Sequence, residues 1–308
     1  MACCSRKQGV AGRQTVFGGA RPVTLDVPEA FDGNRTYPLL ITLHSRGSNG
    51  ASGRNTLGLQ TGHNYGNGIL ILSPDGTLDV TSSSFWNATD ACCNFHGSTV
   101  DDIGYILSLI EEVIAAGWPV DLTRIGVIGY SNGGFLAHMV ARCSNKAGGA
   151  QRVTWACAVN GMGPLAGDSH LVHDGSACTP ARPVHWVQAN GTLDVTVHYD
   201  GDATGSVHTG DVPVGPYPGA LASAAAWAAL NGCTGSLGAA TYTRDFCQSI
   251  AGSESTRQEY GGAPANGSVV VITMTGEDHV LAVTTGPALA SSWTLSILDE
   301  FISHPRTP

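Results

Sequence analysis

The chain has 308 residues, of which 15 are Lys or Arg and 24 Asp or Glu, for a formal net charge of −9. Lys7 and Lys146 are its only lysines and its arginines are scattered, which argues against nucleic acid or an anionic membrane surface as partner, because both need clustered basic groups. No run approaches the roughly 20 apolar residues that span a bilayer, while 42% hydrophobic residues provide the core of one domain beneath a surface rich in Gly, Ser, Thr and Asn.

Residues 1–19 read as an N-terminal extension, and no Pro/Thr/Ser linker, repeat or charge block divides 20–308, which reads as a single domain. The opening Met1-Ala-Cys-Cys4 has two readings. It is either an ordinary Cys-containing mature terminus or the remnant of a lipoprotein cleavage site with Cys3 or Cys4 lipidated. Pro38 to Leu43 reads as a buried strand that ends at His44, a histidine shaping the loop Ser45 to Gly50. Gly68 to Ser73 reads as a second strand. Trp86 sits in an irregular Ser/Thr/Asn loop, so it is the leading candidate for an aromatic wall against substrate, with core packing as its alternative; Phe85 and Phe95 are weaker candidates. Asp101 to Ala116 reads as a helix with Ile103, Ile106, Leu107, Ile110, Val113 and Ile114 on its buried side. Asp101 and Asp102 begin it as caps that complement the helix dipole, not as a metal pair.

The most informative stretch is Arg124 to His138, where the β-forming run Ile125, Val127, Ile128 leads into Gly129-Tyr-Ser-Asn-Gly133 and then into a helical pattern of Phe135, Leu136, Met139 and Val140. A serine on such a strand-to-helix turn has strained backbone angles and needs small neighbours two residues either side, the places that Gly129 and Gly133 fill. Ser131 is therefore the candidate nucleophile. The helix start gives Asn132 an N–H aimed at a developing oxyanion, and Tyr130 would line the base of the cleft. Val153 to Val159 is apolar, with Cys157 as a buried free thiol.

The turn resembles the nucleophile elbow of α/β-hydrolases, and that resemblance implies that the acid and base follow the serine in chain order, each just beyond a strand end. Pro183 to Ala189 reads as a strand whose following loop, Asn190 to Asp194, delivers the acid, Asp194. Asp200 to Pro218 reads as a loop rich in Gly, Asp and Pro, and Pro218 to Leu230 as an Ala-rich helix. Ser268 to Met274 is the last core strand, and His279 just beyond it is the candidate base. Asp200, Glu277 and Asp278 read as solvated loop charges, and His138, His170, His173, His185 and His208 as structural or solvated. Alternating strand and helix gives an α/β class with a mostly parallel sheet and helices on both faces.

Nine cysteines are many for a reducing cytosol, and their spacing does not suit zinc. Disulfides are expected between Cys143 and Cys178, which would brace two elements of the site, and between Cys233 and Cys247, which bracket a short Gly-rich loop. Cys92 and Cys93 are not assigned. No metal or cofactor is expected.

The ordered motifs L-H-x-x-G (Leu43 to Gly47), W-N-x-x-x-x-C-C (Trp86 to Cys93), V-D-D-I-G (Val100 to Gly104), G-Y-S-N-G-G, N-G-T-x-D (Asn190 to Asp194), W-x-x-x-N-G-C (Trp227 to Cys233) and a late G-x-x-H resemble the extracellular polyhydroxybutyrate depolymerase and feruloyl esterase group over residues 20–303. The resemblance implies a secreted serine esterase with an α/β-hydrolase fold and the triad Ser131, Asp194, His279, and a monomer is expected. A periplasmic or lipid-anchored location is the alternative. The group has glycine directly after the loop histidine where this chain has Ser45, so the second oxyanion N–H falls to Arg46, with Ser45 as the alternative. The expected substrates are feruloyl or other aryl esters, and the second reading is polyhydroxybutyrate or an aromatic polyester. A binding scaffold without catalysis is disfavoured, because all three triad residues are retained in order.

Overall fold

The computed structural model describes residues 13–145, 150–173, 175–205, 208–209, 212–213, 215–247, 250–281 and 292–306. Cys3, Cys4, Lys7 and Lys146 lie outside the described residues.

Eight strands form the central sheet: β1 Tyr37–Leu43, β2 Leu70–Leu72, β3 Val120–Tyr130, β4 Trp155–Val159, β5 His185–Gly191, β6 Tyr242–Arg244, β7 Ser255–Glu259 and β8 Val269–Met274. Their spatial order is β6-β7-β8-β5-β4-β3-β1-β2. From β8 to β2 every neighbouring pair is parallel, whereas β6 and β7 close one edge in antiparallel fashion. The expected strands are all present. β7, Ser-Thr-Arg-Gln-Glu, was not legible as a strand because its side chains are polar. Its Arg257 pairs with Glu300 at 2.5 Å and Glu259 at 2.9 Å, and these ion pairs stand where a core strand would show apolar alternation.

Successive strand residues point to opposite faces, and the core divides accordingly. On one face Leu39, Ile41, Val127, Ala156, Trp186 and Val271 pack beneath three helices, α2 Asp102–Ala115, α3 Asn132–Arg142 and α4 Ala220–Asn231. On the other Leu40, Ile128, Cys157, Val187 and Ile272 pack against Trp293, Ile297 and Phe301 of α5 Ser292–Ser303, with Leu57 at the end of α1 Gly50–Thr56. Asp101 caps α2 by accepting the Gly104 N–H at 2.7 Å. Asp102 is buried against Arg21 at 2.6 Å, and burial first of all pushes its carboxyl above the usual range, against the pull of that cation.

Two expectations are corrected here. The extension does not run to residue 19: Val16 and Phe17 pair with Thr24 and Val23, Phe17 is buried, and the Trp118 indole donates to the Gln14 carbonyl at 2.7 Å. From Arg13 onward the chain belongs to the packed body. The Cys143 to Cys178 bridge is present with Cα atoms 4.4 Å apart, and Cys92 bridges to Cys93. Cys233 and Cys247, however, are free, as is the buried Cys157. The physical reason is the sheet between them: Cys233 packs with the cluster under α4, and Cys247 is buried in the cluster on the opposite face.

Candidate active site

Ser131 stands between the end of β3 and the start of α3 with φ 55° and ψ −119°. Its N–H donates to the Val159 carbonyl at the end of β4 (2.8 Å), and its own carbonyl accepts the Gly134 N–H at 2.7 Å. A Cβ on Gly129 would strike the Gly133 backbone, and one on Gly133 would strike the Leu43 carbonyl. These two close approaches explain why the turn needs both glycines, and the tight turn leaves Ser131 only 8% exposed.

The acid and base come from the ends of β5 and β8, which are neighbours in the sheet although 85 residues separate Asp194 from His279 in the chain. His279 Nδ1 lies 2.7 Å from Asp194 Oδ2, and its Nε2 lies 2.9 Å from Ser131 Oγ. The carboxylate requires the proton on Nδ1, which leaves Nε2 as an acceptor for the serine hydroxyl. The side chain of Asp194 is wholly buried, and its second oxygen accepts the N–H groups of Thr196 (2.8 Å) and Val197 (2.7 Å). An unpaired buried carboxylate is costly; this one has three donors.

The competing carboxylates separate clearly. Asp200 is exposed. Asp278 is exposed too, and its Oδ1 accepts the N–H of His279 (2.6 Å) and of Val195 (3.2 Å), tying the base loop to the acid loop. Glu277 corrects the expectation of a solvated charge: it is buried and contacts the Cys247 thiol. Burial foremost, and then the carboxylates of Glu277 and Glu254, push that thiol far above the ordinary range.

Two expected substrate contacts are also corrected. Trp86 is fully buried. Its backbone N–H and carbonyl are held by the Asn132 side chain at 2.7 and 3.0 Å, and its indole N–H donates to the His44 carbonyl at 2.9 Å. An indole with a buried polar partner packs as core, a pairing that the loop sequence does not reveal. Tyr130 is buried, and its hydroxyl donates to the His279 carbonyl at 2.5 Å. Burial, followed by the charge of Asp194, raises its phenol well above the ordinary value. Its contact is with the histidine loop. Among the weaker candidates, Phe85 is buried and Phe95 packs under the Arg46 guanidinium, 5.0 Å from the ring centroid.

The loop after β1 faces the serine turn. The Gly76 N–H donates to His44 Nε2 at 2.8 Å, so the His44 proton sits on Nδ1 and is directed at the Ser45 carbonyl, 2.7 Å away. Burial lowers its basicity. His44 therefore shapes the loop as expected. Gly47 N–H donates to Ser84 at 2.7 Å and Ser48 N–H to Ser45 at 3.2 Å, and neither Ser45 nor Arg46 spends its N–H on a carbonyl of the described residues. The Arg46 side chain is held by Asp79 at 2.7 Å. Asn132 N–H is the first of α3 and has no intrahelical partner. Sequence reasoning missed one residue, Asn160: it has φ 47° and is fully buried beside Ser131, Gly191 and His279. An asparagine is a common occupant of that left-handed region, so the sequence Val159-Asn160-Gly161 was the available signal.

No family model matches the chain. Over 216 residues it is 30% identical to Feruloyl esterase B of Piromyces equi, an alignment that covers 70% of this chain and 36% of that relative's length. Among solved structures it resembles the acetyl xylan esterase from Aspergillus awamori, with a TM-score of 0.56 and 12% identity over 91% of this chain and 93% of that one. At that identity the likeness shows the fold alone. With the mostly parallel sheet flanked by helices on both faces, it is the expected α/β-hydrolase fold.

Proposed function

We propose that the chain is a serine carboxylic-ester hydrolase acting through Ser131, His279 and Asp194 on feruloyl or other aryl esters. The observation that carries this reading is the relay of 2.7 and 2.9 Å from Asp194 through His279 to Ser131. His279 takes the hydroxyl proton as Ser131 Oγ attacks the ester carbonyl, and Asp194 stabilises the imidazolium that forms. The N–H groups of Asn132 and Arg46, or of Asn132 and Ser45, hold the oxyanion. His279 then protonates the leaving alcohol, and activates the water that resolves the acyl-enzyme.

The aryl-ester preference rests on the likeness to Feruloyl esterase B. A second reading, a polyester hydrolase, is favoured by exposed aliphatic side chains on the acid and base loops: Leu193 is 62% exposed, Val195 68% and Val280 75%. Such a rim suits an apolar polymer surface as well as an apolar acyl group. Secretion is supported by the Cys143 to Cys178 bridge, since such bonds persist in oxidising compartments. No described helix is long and apolar enough to cross a membrane. A monomer acting alone on its ester substrate completes the proposal.

Rates on 4-nitrophenyl acetate, methyl ferulate and a polyhydroxybutyrate film test it. The activated ester is the control for the triad, and turnover of methyl ferulate is the expected result. Rapid film hydrolysis without turnover of methyl ferulate would replace the aryl-ester reading with the polyester one. Inactivity on all three would contradict an esterase.

A further inference from the structure

The three segments that bring Ser131, Asp194 and His279 together share one side chain that touches none of the reacting atoms. Asn160 follows β4 directly. On its N-terminal side the Val159 carbonyl accepts the Ser131 N–H at 2.8 Å, and its own N–H donates to Ala189 on β5 at 2.9 Å. Its Oδ1 accepts the N–H of Gly191, at the turn leading to Asp194, at 3.0 Å. Its Nδ2 donates into the base loop, to the His279 carbonyl at 3.0 Å and the Asp278 carbonyl at 3.3 Å. The amide thus spends its acceptor on the acid turn and its donors on the base loop, while the adjacent peptide anchors the nucleophile.

A second donor converges on the same atom. The Tyr130 hydroxyl reaches the His279 carbonyl at 2.5 Å, and its ring lies 5.4 Å from the imidazole with planes 30° apart. The carbonyl is the neighbour of the imidazole-bearing Cα, so fixing it fixes the point from which the ring swings between Asp194 and Ser131. The left-handed backbone of Asn160 aims the amide at both loops, a conformation that asparagine tolerates better than most residues.

We infer that Asn160, assisted by Tyr130, is a positioning residue that sets the separation of His279 from Asp194 and Ser131 by clamping the His279 carbonyl to the acid turn. The inference rests on the triad reading above. Neither residue handles a proton in the reaction; both act through the placement of His279.

The test compares wild type, Asn160→Gly, Tyr130→Phe and the double variant. Glycine accepts φ 47° without strain, so it removes the amide while leaving the backbone turn available. Circular dichroism and the thermal midpoint establish that each variant is folded. Two readouts follow, steady-state kinetics on 4-nitrophenyl acetate and the rate at which a fluorophosphonate labels Ser131. Because a misplacement of about 1 Å can cost about 10²-fold in rate, Asn160→Gly is expected to lose kcat on that order with KM little changed and labelling slowed in parallel. Tyr130→Phe is expected to lose less, and the double variant less than the product of the two, since both donors serve one oxygen. A folded Asn160→Gly protein with wild-type kcat and labelling rate overturns the inference and leaves the triad standing, as does a rise in KM at unchanged kcat. If wild-type Ser131 itself takes no label, the triad reading fails and the inference falls with it.

Discussion

Two of the described clusters that contain serine, histidine and aspartate make an instructive pair, because only the first is arranged as a proton relay. In the first, Ser131, Asp194 and His279 come from the ends of three strands, and each ring nitrogen has one partner of the right kind, a buried carboxylate on Nδ1 and a hydroxyl on Nε2. In the second, Asp168, Ser169 and His170 are consecutive and meet Asp90. There the Ser169 hydroxyl donates straight to Asp90, while His170 Nδ1 lies 3.2 Å from Asp168 and 3.3 Å from Asp90, and Nε2 lies 2.9 Å from the Asn87 amide oxygen. The Ser169 hydroxyl, 3.3 Å from Nδ1, spends its proton on Asp90, so the partners of both His170 ring nitrogens are acceptors and the cluster favours the imidazolium. Hydrogen bonding to Asp168, against the cost of burial, raises its basicity together with the charges of Asp168 and Asp90. A histidine whose ring nitrogens both face acceptors offers no lone pair to a serine hydroxyl, so it is not placed as a base. The comparison teaches that direction of hydrogen bonding, not residue composition, separates a relay from a clamp between loops.

The contrast breaks most sharply at the serines. Ser131→Ala is expected to lose activity by about 10⁶-fold in kcat, whereas Ser169→Ala should retain wild-type kcat on 4-nitrophenyl acetate. The aspartates give the next largest difference. Asp194→Asn is expected to cost on the order of 10⁴ in kcat, while Asp168→Asn and the exposed Asp200→Asn cost little; a reversed ranking would mean that the acid is elsewhere. The smallest effect is on stability. Since the folded state raises the affinity of His170 for its proton, its contribution is fully present below the unfolded value of about 6.5 and is lost as pH rises through the higher folded value. Wild type should therefore exceed His170→Gln in stability by up to about 1 kcal/mol near pH 5.5, and the gap should narrow as pH rises above the unfolded value. Thermal midpoints measured across that range check the sign, and a gap that widens with pH would contradict a charged clamp.

The candidate relay was legible because its parts carry strong local signals. Gly129 and Gly133 bracket a serine that only small neighbours allow, and Asp194 and His279 each follow an apolar run that became β5 or β8. Tertiary context decided what sequence did not show. Trp86 lies in an irregular loop, yet Asn132 and the His44 carbonyl draw it into the core. Cys233 and Cys247 are close in sequence but separated by the sheet. The polar strand β7, paired between β6 and β8, carries Arg257 to Glu300, an ion pair across 43 residues that no periodicity encodes. Asn160 escaped notice for the same reason, since its partners lie 31 and 119 residues away.

Mass spectrometry of the native protein after exposure to a fluorophosphonate tests the central claim most directly. One adduct, mapped to the peptide carrying Ser131, is the predicted result, with Ser169 unlabelled and the adduct lost in His279→Ala. An adduct on Ser169 in place of Ser131, or no adduct on a folded protein, would contradict the account.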